Sequence, residues 1–397
     1  MGLAAAFSVA EGNEGNWLET LPWAAGGIYD NPDNPWLQSF HLGFYTHLHA
    51  AAVSGRTPTK DFWYGRATDW RRTRVTIKAR ALNILSFTVH ANVMDDEGRD
   101  GGGVEFDYQG LFLAWATLDL KQVVPSIPLD GLDLSYGSRK LTELNEEMDT
   151  LVNDIITVER SSFAAQVVPF PEATGITGVW LDARKGANGF RLGVYSTDAT
   201  REFGAWNDGL LVSGAWRRDF GKPLGLDEAT VSLGGAFQDV EAREEVYSPW
   251  EWIVTPWLRI RKDRWELHVS GAIGENEGTS GSTGGAFYGG SVMPAYWVAE
   301  EKLQAVFRYE IMGSEGPRGV QLASRYAREA GRASNEAIPS LSSGRGDFHQ
   351  SIYGGLVWHV VPKHMTLLAG VEWEELRSNG AEVYDGTTLW MASRLIF

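Results

Sequence analysis

At the end of the chain, apolar residues alternate with residues of mixed polarity, and few folds accommodate such a segment. Residues 387–397 read TTLWMASRLIF. Leu389, Met391 and Leu395 share one parity, whereas Arg394 lies on the other. A period of two with an apolar set on one side indicates a β-strand with one apolar face. A last strand of this kind, ending on an aromatic residue, is typical of a transmembrane β-barrel, whose strands meet lipid with every second residue.

The same alternation recurs about sixteen times from residue 38 onward, and the connections between the segments differ in length. Short links at 184–188, 261–264 and 361–364 alternate with longer polar ones, the longest of which are 140–173 and 313–347. This pattern predicts an all-β fold, a transmembrane antiparallel β-barrel of about sixteen strands with short periplasmic turns and long extracellular loops. A large soluble sandwich or propeller is the alternative, but such folds do not alternate loop lengths so regularly.

These patterns divide the chain into a leading segment and one barrel. Residues 1–37, rich in Gly, Asn and Pro, are predicted to be an irregular N-terminal periplasmic segment, and 38–397 the outer-membrane β-barrel. Within the barrel, 140–172 is a candidate inward constriction loop and 313–347 a long extracellular loop. The run at 3–10 is either the tail of a signal peptide or the mature start.

The composition of the chain argues against several other classes of protein. No run approaches the ~18–20 apolar residues of a membrane helix. The absence of cysteine excludes disulfides and thiolate metal sites, and no cofactor is indicated. A net charge of −16 argues against a nucleic-acid partner. No nucleophile motif with a Ser/His/acid spacing is present, so we expect no enzyme.

A ladder of bases on one strand face is the first candidate site. It consists of Arg72, Arg74, Lys78 and Arg80. Each charge would cost ~2–4 kcal/mol facing lipid at mid-depth, so the ladder is predicted to face the water-filled lumen. Two interpretations stay open. Unpaired guanidinium groups would attract anionic solutes, or the bases pair with Glu105, Asp107 and loop acids and only satisfy the wall.

The segment 132–196 carries a family resemblance. It contains LDLSYGSRK, an acidic loop ending DIITVERSSF, and TGITGVWLDARKGANGFRLGVYS. It resembles the phosphate-selective porin O/P family of Gram-negative outer membranes, in which a Gly-x-x-Lys strand end enters a long loop closed by a Glu-Arg-Ser element. The matching positions are Gly137, Arg139, Lys140, Glu159, Arg160, Ser161 and Gly175. The resemblance implies a sixteen-stranded barrel, usually a homotrimer, with one loop folded inward and basic lumen residues that favour anions.

The loop departs from that family in its charge. It carries Glu143, Glu146, Glu147, Asp149, Asp154 and Glu159 against few bases, and would repel phosphate unless these acids point away from the pore. The solute of the family is therefore not transferred. With Arg160, the glutamates of this loop form the candidate constriction set, and adjacent Glu159 and Arg160 are expected to pair at the loop base. Arg139, Lys140 and Arg394 complete the candidate pore-lining set.

The remaining candidates have simpler interpretations. His47 and His49 share a strand face, as a metal site requires, but polar lumen filler is the favoured interpretation. The loop 314–347 carries five arginines; a solvated surface loop is favoured over an anion funnel at the mouth. Tryptophans are expected mainly in girdles at the lipid interfaces, such as Trp265 and Trp358, whereas Trp257 has the other parity.

Together these features predict a passive diffusion channel for small hydrophilic solutes or ions in the Gram-negative outer membrane, in contact with its lipid and lipopolysaccharide. The ladder gives a possible anion bias. The alternative from another class is a structural or plugged barrel that serves envelope assembly or attachment without conductance.

Overall fold

The alternating segments form long antiparallel strands, each hydrogen-bonded to a neighbour on both sides, so the sheet closes on itself. The computed structural model describes residues 27–94, 106–168, 175–198, 202–206, 209–239, 249–277, 282–332, 341 and 343–397. Sixteen strands make the barrel in this part of the chain. The predicted fold class and strand number are confirmed.

The strands that close the barrel run through the whole described chain. They are β2 (Leu37–Arg56), β3 (Asp61–Ala81), β4 (Leu85–Asn92), β5 (Gly110–Asp119), β6 (Gly131–Arg139), β7 (Ile176–Lys185), β8 (Asn188–Ser196), β9 (Leu210–Asp219), β10 (Glu228–Gln238), β11 (Trp250–Lys262), β12 (Trp265–Asn276), β13 (Gly285–Ala299), β14 (Leu303–Ser314), β17 (Phe348–Val361), β18 (Met365–Ser378) and β19 (Ala381–Ile396). Short strands outside the ring are β1 (Gly27–Asp30), β15 (Val320–Gln321) and β16 (Arg345–Gly346).

Helices are short and lie in the connections. They are α1 (Leu120–Val123), a 3-10 helix (Thr142–Leu144), α2 (Glu146–Asp149), α3 (Ser162–Val167), α4 (Gly221–Leu224) and α5 (Arg325–Arg332). Among the described residues, no helix has the length and apolar character needed to cross a membrane.

The ring closes where β19 pairs with β2, with Arg394 opposite His47. Beyond the end of β19, β2 continues and pairs with β1, in which Tyr29 lies opposite Phe40. The prediction of an irregular segment over 1–37 is therefore wrong for Gly27–Asp30, because the free edge of β2 offers hydrogen-bond partners there. Residues 1–26 lie outside the described part of the chain.

Side chains alternate between the two faces of the wall as the sequence pattern predicts. Leu389 is 57% and Met391 66% exposed on the outer face, whereas Trp390 between them is buried inside. Trp265 and Trp358 are exposed outside and Trp257 is buried inside, as their parity predicts. An apolar outer face is what contact with lipid requires.

The two ends of the barrel differ in their connections. At one end, here called the short-turn end, consecutive strands join through links such as 186–187, 263–264 and 362–364. The other, the long-loop end, carries the connections 140–175 and 315–347, but also a tight turn at 379–380, next to the closing pair of strands. Asn379 and Gly380 both have positive φ, as a two-residue hairpin turn requires.

The core lies inside the ring, between the wall and the two long connections. One apolar cluster joins Leu144 and Phe163 of the first connection to wall residues such as Trp250. A second packs Val158 against the inner wall around Tyr353. Both long connections thus pack against the inner wall of the barrel.

Candidate functional site

The connection after β6, residues 140–168, lies inside the barrel and is called here the inward loop. It is held in shape locally, because Asn145 caps α2 at the Met148 amide (3.3 Å) and Ser161 caps α3 at the Ala164 amide (2.9 Å). Its side chains and carbonyls then contact wall strands around the ring.

Glu147 joins two parts of the loop to the wall. Its Oε1 accepts from Ser161 Oγ at 2.6 Å and its Oε2 from the Ser161 amide at 3.0 Å. Arg308 on β14 lies 3.1 Å from Glu147 Oε2 and 2.7 Å from Glu372 on β18. The three charged groups are almost fully buried, so they stabilise the loop only as a set.

The other early loop acids also point at the wall. Glu146 accepts from Arg259 at 2.8 Å and lies 2.7 Å from His268, and Glu143 is 2.5 Å from Arg139. Burial alone would raise the pKa of the Glu143 carboxyl, but Arg139 holds that pKa below its ordinary value. Bases of the wall therefore neutralise these carboxylates. The acidic residues of the loop need not repel anions in the pore, as the sequence alone suggests.

Glu159 binds two consecutive arginines of β3. Its Oε1 lies 2.5 Å from Arg71 Nε, and its Oε2 lies 2.8 Å from Arg72 Nη2. The expected ion pair between Glu159 and Arg160 is wrong, because the Arg160 guanidinium binds backbone carbonyls. Arg160 instead donates to the carbonyls of Glu147 and Thr150, both at 2.8 Å.

Arg71 is a site residue that strict alternation misses. His47 lies opposite Arg72 and Leu48 opposite Trp70, so Arg71 has no partner across the strand pair. Such a bulge brings two consecutive side chains to one face. The sequence does contain one indication of this bulge. Regular alternation would place the charged Arg71 side chain in lipid, which is energetically unfavourable.

The bases around Glu159 form a compact group, called here the basic cluster. It consists of Arg71, Arg72, Arg74, Lys140 and Arg160. Burial and the guanidinium groups of Arg74, Arg160, Arg72 and Arg71 hold the pKa of Lys140 well below its ordinary value. Two of these five bases, Arg71 and Arg72, bind Glu159, and Arg160 is also attracted by the Glu147 carboxylate.

An aromatic ring lies beneath two of these bases. The Arg74 guanidinium carbon is 3.2 Å, and Lys140 Nζ 4.8 Å, from the centre of the Phe112 ring. Arg74 also donates to Asn92 Oδ1 and to Tyr45 Oη, both at 2.7 Å. The ring and these neutral oxygens position the charge of Arg74 without cancelling it.

The lower part of the ladder has different surroundings. Lys78 and Arg80 are exposed on the inner face near the short-turn end. Arg80 donates to the Asn83 carbonyl at 2.9 Å and lies 4.0 Å from Asp119. Among the described residues, no carboxylate lies within ion-pair distance of Lys78.

On the opposite wall, a recess of about 180 Å³ opens beside Arg259 and His268.

Of the acidic partners predicted for the ladder, the loop acid Glu159 does pair with Arg72, whereas Asp107 does not lie beside the ladder. Asp107 is exposed before β5 and is contacted by the Gln109 side chain. Although residues 104–109 alternate like a strand, β5 begins only at Gly110, because β4 ends at Asn92, which pairs with Gly110 and accepts the Gln109 amide at 2.9 Å. Glu105 lies outside the described residues.

The Arg394 side chain faces the inside of the barrel, where it binds the inward loop. It donates to the carbonyls of Thr157 (2.6 Å), Val158 (3.2 Å) and Ile155. His47 beside it contacts Asn153 Oδ1 at 2.9 Å. Within the described ranges, no group of three or more His, Cys, Asp or Glu has the arrangement of a metal site.

The described residues of the second long connection, 315–332, 341 and 343–347, are also folded inward, so the expectation of a solvated surface loop is wrong for them. Its helix α5 lies against β2 and β3. Buried Tyr326 donates to Asp69 Oδ2 at 2.6 Å, and Arg325 donates to Asp69 Oδ1 at 3.2 Å. The two connections bind each other, since the Ala323 amide donates to Ser162 Oγ at 2.9 Å.

Of the comparisons with known proteins, the one with solved structures finds proteins of the same architecture. No protein-family model matches the chain, and no curated protein sequence matches it. Among solved structures, the outer-membrane channel DcaP of Acinetobacter baumannii is similar with a TM-score of 0.52 at 10% identity, over 90% of this chain and 97% of that one. An anion-selective porin from Comamonas acidovorans has a TM-score of 0.51 at 11% identity, over 90% and 100%. OprB of Pseudomonas putida has 0.50 at 10%, over 89% and 94%. The chain therefore has the β-barrel fold of outer-membrane porins.

Proposed function

We propose that this protein is a Gram-negative outer-membrane porin through which small hydrophilic solutes and ions diffuse passively. Support comes from the closed ring with its apolar outer face, the fold shared with porins, and an inward loop that limits the free cross-section. No chemistry is assigned to it, and its partners are outer-membrane lipid, lipopolysaccharide and the solutes themselves.

The basic cluster is the observation that carries the proposal. Five bases lie close together where the inward loop contacts β3, and Glu159 binds two of them. Charged side chains at a constriction set the sign of the ions that enter, because low-dielectric walls strengthen their field. The channel is therefore anion-biased, although the whole chain is acidic.

The finer assignment is the phosphate-selective porin O/P family, with a homotrimeric assembly. It rests on the resemblance of residues 132–196, and the acidic loop that argued against it is neutralised by wall bases such as Arg139 and Arg259. Small oxyanions are thus acceptable solutes, without a preference for one of them.

Recording from the purified protein in a planar bilayer tests this function. We expect discrete conductance steps and a reversal potential in a salt gradient that indicates anion preference. The double variant Arg72→Ala with Arg74→Ala is expected to lose the preference. Arg218→Ala with Lys222→Ala removes the same charge from exposed positions outside the cluster, and is expected to retain it. Cation preference of the unaltered protein would contradict the anion bias.

A plugged barrel without useful conductance is the second candidate, and one observation favours it. Leu141, Phe163, Val320 and Leu322 of the two long connections are almost fully buried in one apolar cluster inside the ring. A variant in which 320–344 is replaced by a short Gly-Ser link distinguishes the two functions. Steps from this variant alone, with none from the unaltered protein, would establish the plug.

A further inference from the structure

The recess on the wall opposite the ladder contains a row of three charged residues on three neighbouring strands. Arg261 of β11 lies opposite Glu228 of β10 on one side and opposite Glu266 of β12 on the other. Residues that lie directly opposite each other share a face and have Cβ atoms about 4.5–5.5 Å apart. The volume of about 180 Å³ exceeds the room that a single water needs, so a small organic solute can enter.

Part of this charge is not neutralised by the protein. Asp154 reaches the recess from the inward loop, and neither Asp154 nor Arg261 forms an ion pair with a described residue. Glu228 is 3.8 Å from Arg259, which already binds Glu146 at 2.7 Å. The recess is lined by three carboxylates and two guanidinium groups. Negative charge is thus in excess, while Arg261 can still bind an anionic group.

A buried imidazole nitrogen of the lining also lacks a partner. His268 is 8% exposed, and its Nδ1 lies 2.7 Å from Glu146 Oε1. Its Nε2 has no hydrogen-bond partner among the described residues, and Glu266 Oε2 is 3.5 Å away. A buried polar atom without a partner is destabilising, and a hydrogen bond with a solute removes this cost. Even with His268 charged, the three lining carboxylates and Glu146 outnumber the three cationic groups, so the balance stays negative.

We propose that this recess binds small zwitterions of the α-amino-acid class, with the solute ammonium group at Glu228 and Glu266 and its carboxylate at Arg261. An ammonium group has three donors and no acceptor, so it requires acceptors such as these carboxylates. A guanidinium group binds a carboxylate through charge-assisted hydrogen bonds. The basic cluster on the other wall repels a simple cation, whereas a zwitterion has no net charge and passes it. This inference rests on the proposed channel function and adds a binding site and a solute class to it.

Titration calorimetry of the detergent-solubilised barrel with three probes of similar size tests the proposal. The probes are alanine, ethylammonium, which lacks the carboxylate, and propionate, which lacks the ammonium group. We expect alanine to bind more tightly than either of the others, because only alanine satisfies both kinds of charge in the row. This comparison uses the unaltered protein, so it does not depend on the folding of a variant. Equal binding of alanine and ethylammonium, or no binding of alanine, would overturn the proposal.

Two variants assign the two ends of the solute. Glu228→Gln with Glu266→Gln is expected to weaken alanine binding about tenfold or more, the loss expected when a hydrogen bond between charged groups is removed. Arg261→Gln is expected to weaken the binding of alanine by a similar factor, but not that of ethylammonium. The matched control, Glu300→Gln with Glu301→Gln, removes the same charge from exposed positions of a turn at the same end of the barrel, and should leave alanine binding unchanged. An equal loss in the control would contradict the site.

The failure of this site and the failure of the channel are distinguishable. Absence of conductance steps in the planar bilayer would refute the channel without affecting the calorimetric result. Normal steps without alanine binding would refute only this site.

Discussion

Arg308 fixes Glu147 to the barrel wall, with its Nη1 at 3.1 Å from Glu147 Oε2 in a place almost without solvent. The same guanidinium reaches Glu372 at 2.7 Å, so one cation on β14 serves a loop acid and a wall acid. The position of the inward loop therefore depends in part on Arg308, beside its contacts to Arg72, Arg259 and Arg394.

Replacing Arg308 tests this dependence. Arg308→Met leaves two buried carboxylates without their cation, and loss of one partner of a buried pair costs about 3–5 kcal/mol. We expect the free energy of unfolding, measured by denaturant titration, to fall by that amount. Arg184→Met is the control, because Arg184 is half exposed and lies 3.8 Å from Asp133; a pair of this kind contributes about 0–1 kcal/mol. Equal losses in both variants would contradict the argument.

The response to acid follows from Glu159. Burial raises the pKa of its carboxyl, but Arg71 and Arg72 more than offset this and hold that pKa well below its ordinary value. A depressed folded pKa stabilises the docked loop above the unfolded value of about 4.3, and this contribution is lost as pH falls through the folded value.

We therefore expect conductance and tryptophan fluorescence to stay constant from about pH 7 to about pH 5, and to change only below about pH 4. Glu159→Gln should remove part of that acid transition. A transition near neutral pH that Glu159→Gln abolishes would contradict the assigned ionisation.

The Tyr326 hydroxyl is one of the contacts that hold helix α5. Tyr326→Phe removes its hydrogen bond to Asp69 while Arg325 still donates there, and loss of a hydrogen bond to a charged group costs about 1.5–3 kcal/mol. We expect faster tryptic cleavage within 315–347, because the arginines of α5 become accessible more often. Tyr288→Phe changes an exposed tyrosine on the outer face and serves as control. An unchanged cleavage rate in Tyr326→Phe would show that this contact does not hold the helix.

The two faces of the wall should respond oppositely to charge. Leu389→Arg places a cation on the outer face near mid-strand and is expected to cost about 2–4 kcal/mol of folding free energy in lipid vesicles. Thr88→Arg, on the inner face opposite Lys78, is expected to have a small effect, since its charge meets water. Similar costs for the two variants would refute the assignment of the faces.

Strand parity is predictable from the sequence because lipid and lumen impose opposite demands on successive residues. Leu389 and Trp390 illustrate this, since their burial follows directly from alternation. The exposed Phe106 and Tyr108 show the limit: they alternate like a strand, but a strand also needs a neighbour, and β4 ends before reaching them.

The contacts of the interior are harder to predict, because they join residues far apart in sequence. Alternation predicts that Arg72 faces the lumen, but its partner Glu159 lies 87 positions away, where the sequence favours a pair with Arg160. Tyr326 and Asp69 are separated by 257 positions, and no local pattern indicates that they meet. The inward position of this loop is predicted mostly by the family resemblance.

The extension of β2 past β19 has a mechanical consequence. The backbones of Phe397 and Phe44 exchange two hydrogen bonds, at 2.8 and 3.1 Å, and β1 continues the pairing of β2 from there. Strand β2 is thus bonded to three strands, and the seam at which the two halves of the ring meet is longer than its closing strand. To open the ring at this seam, both β19 and β1 must separate from β2. The contact that closes the sheet is therefore held by two separate segments of backbone.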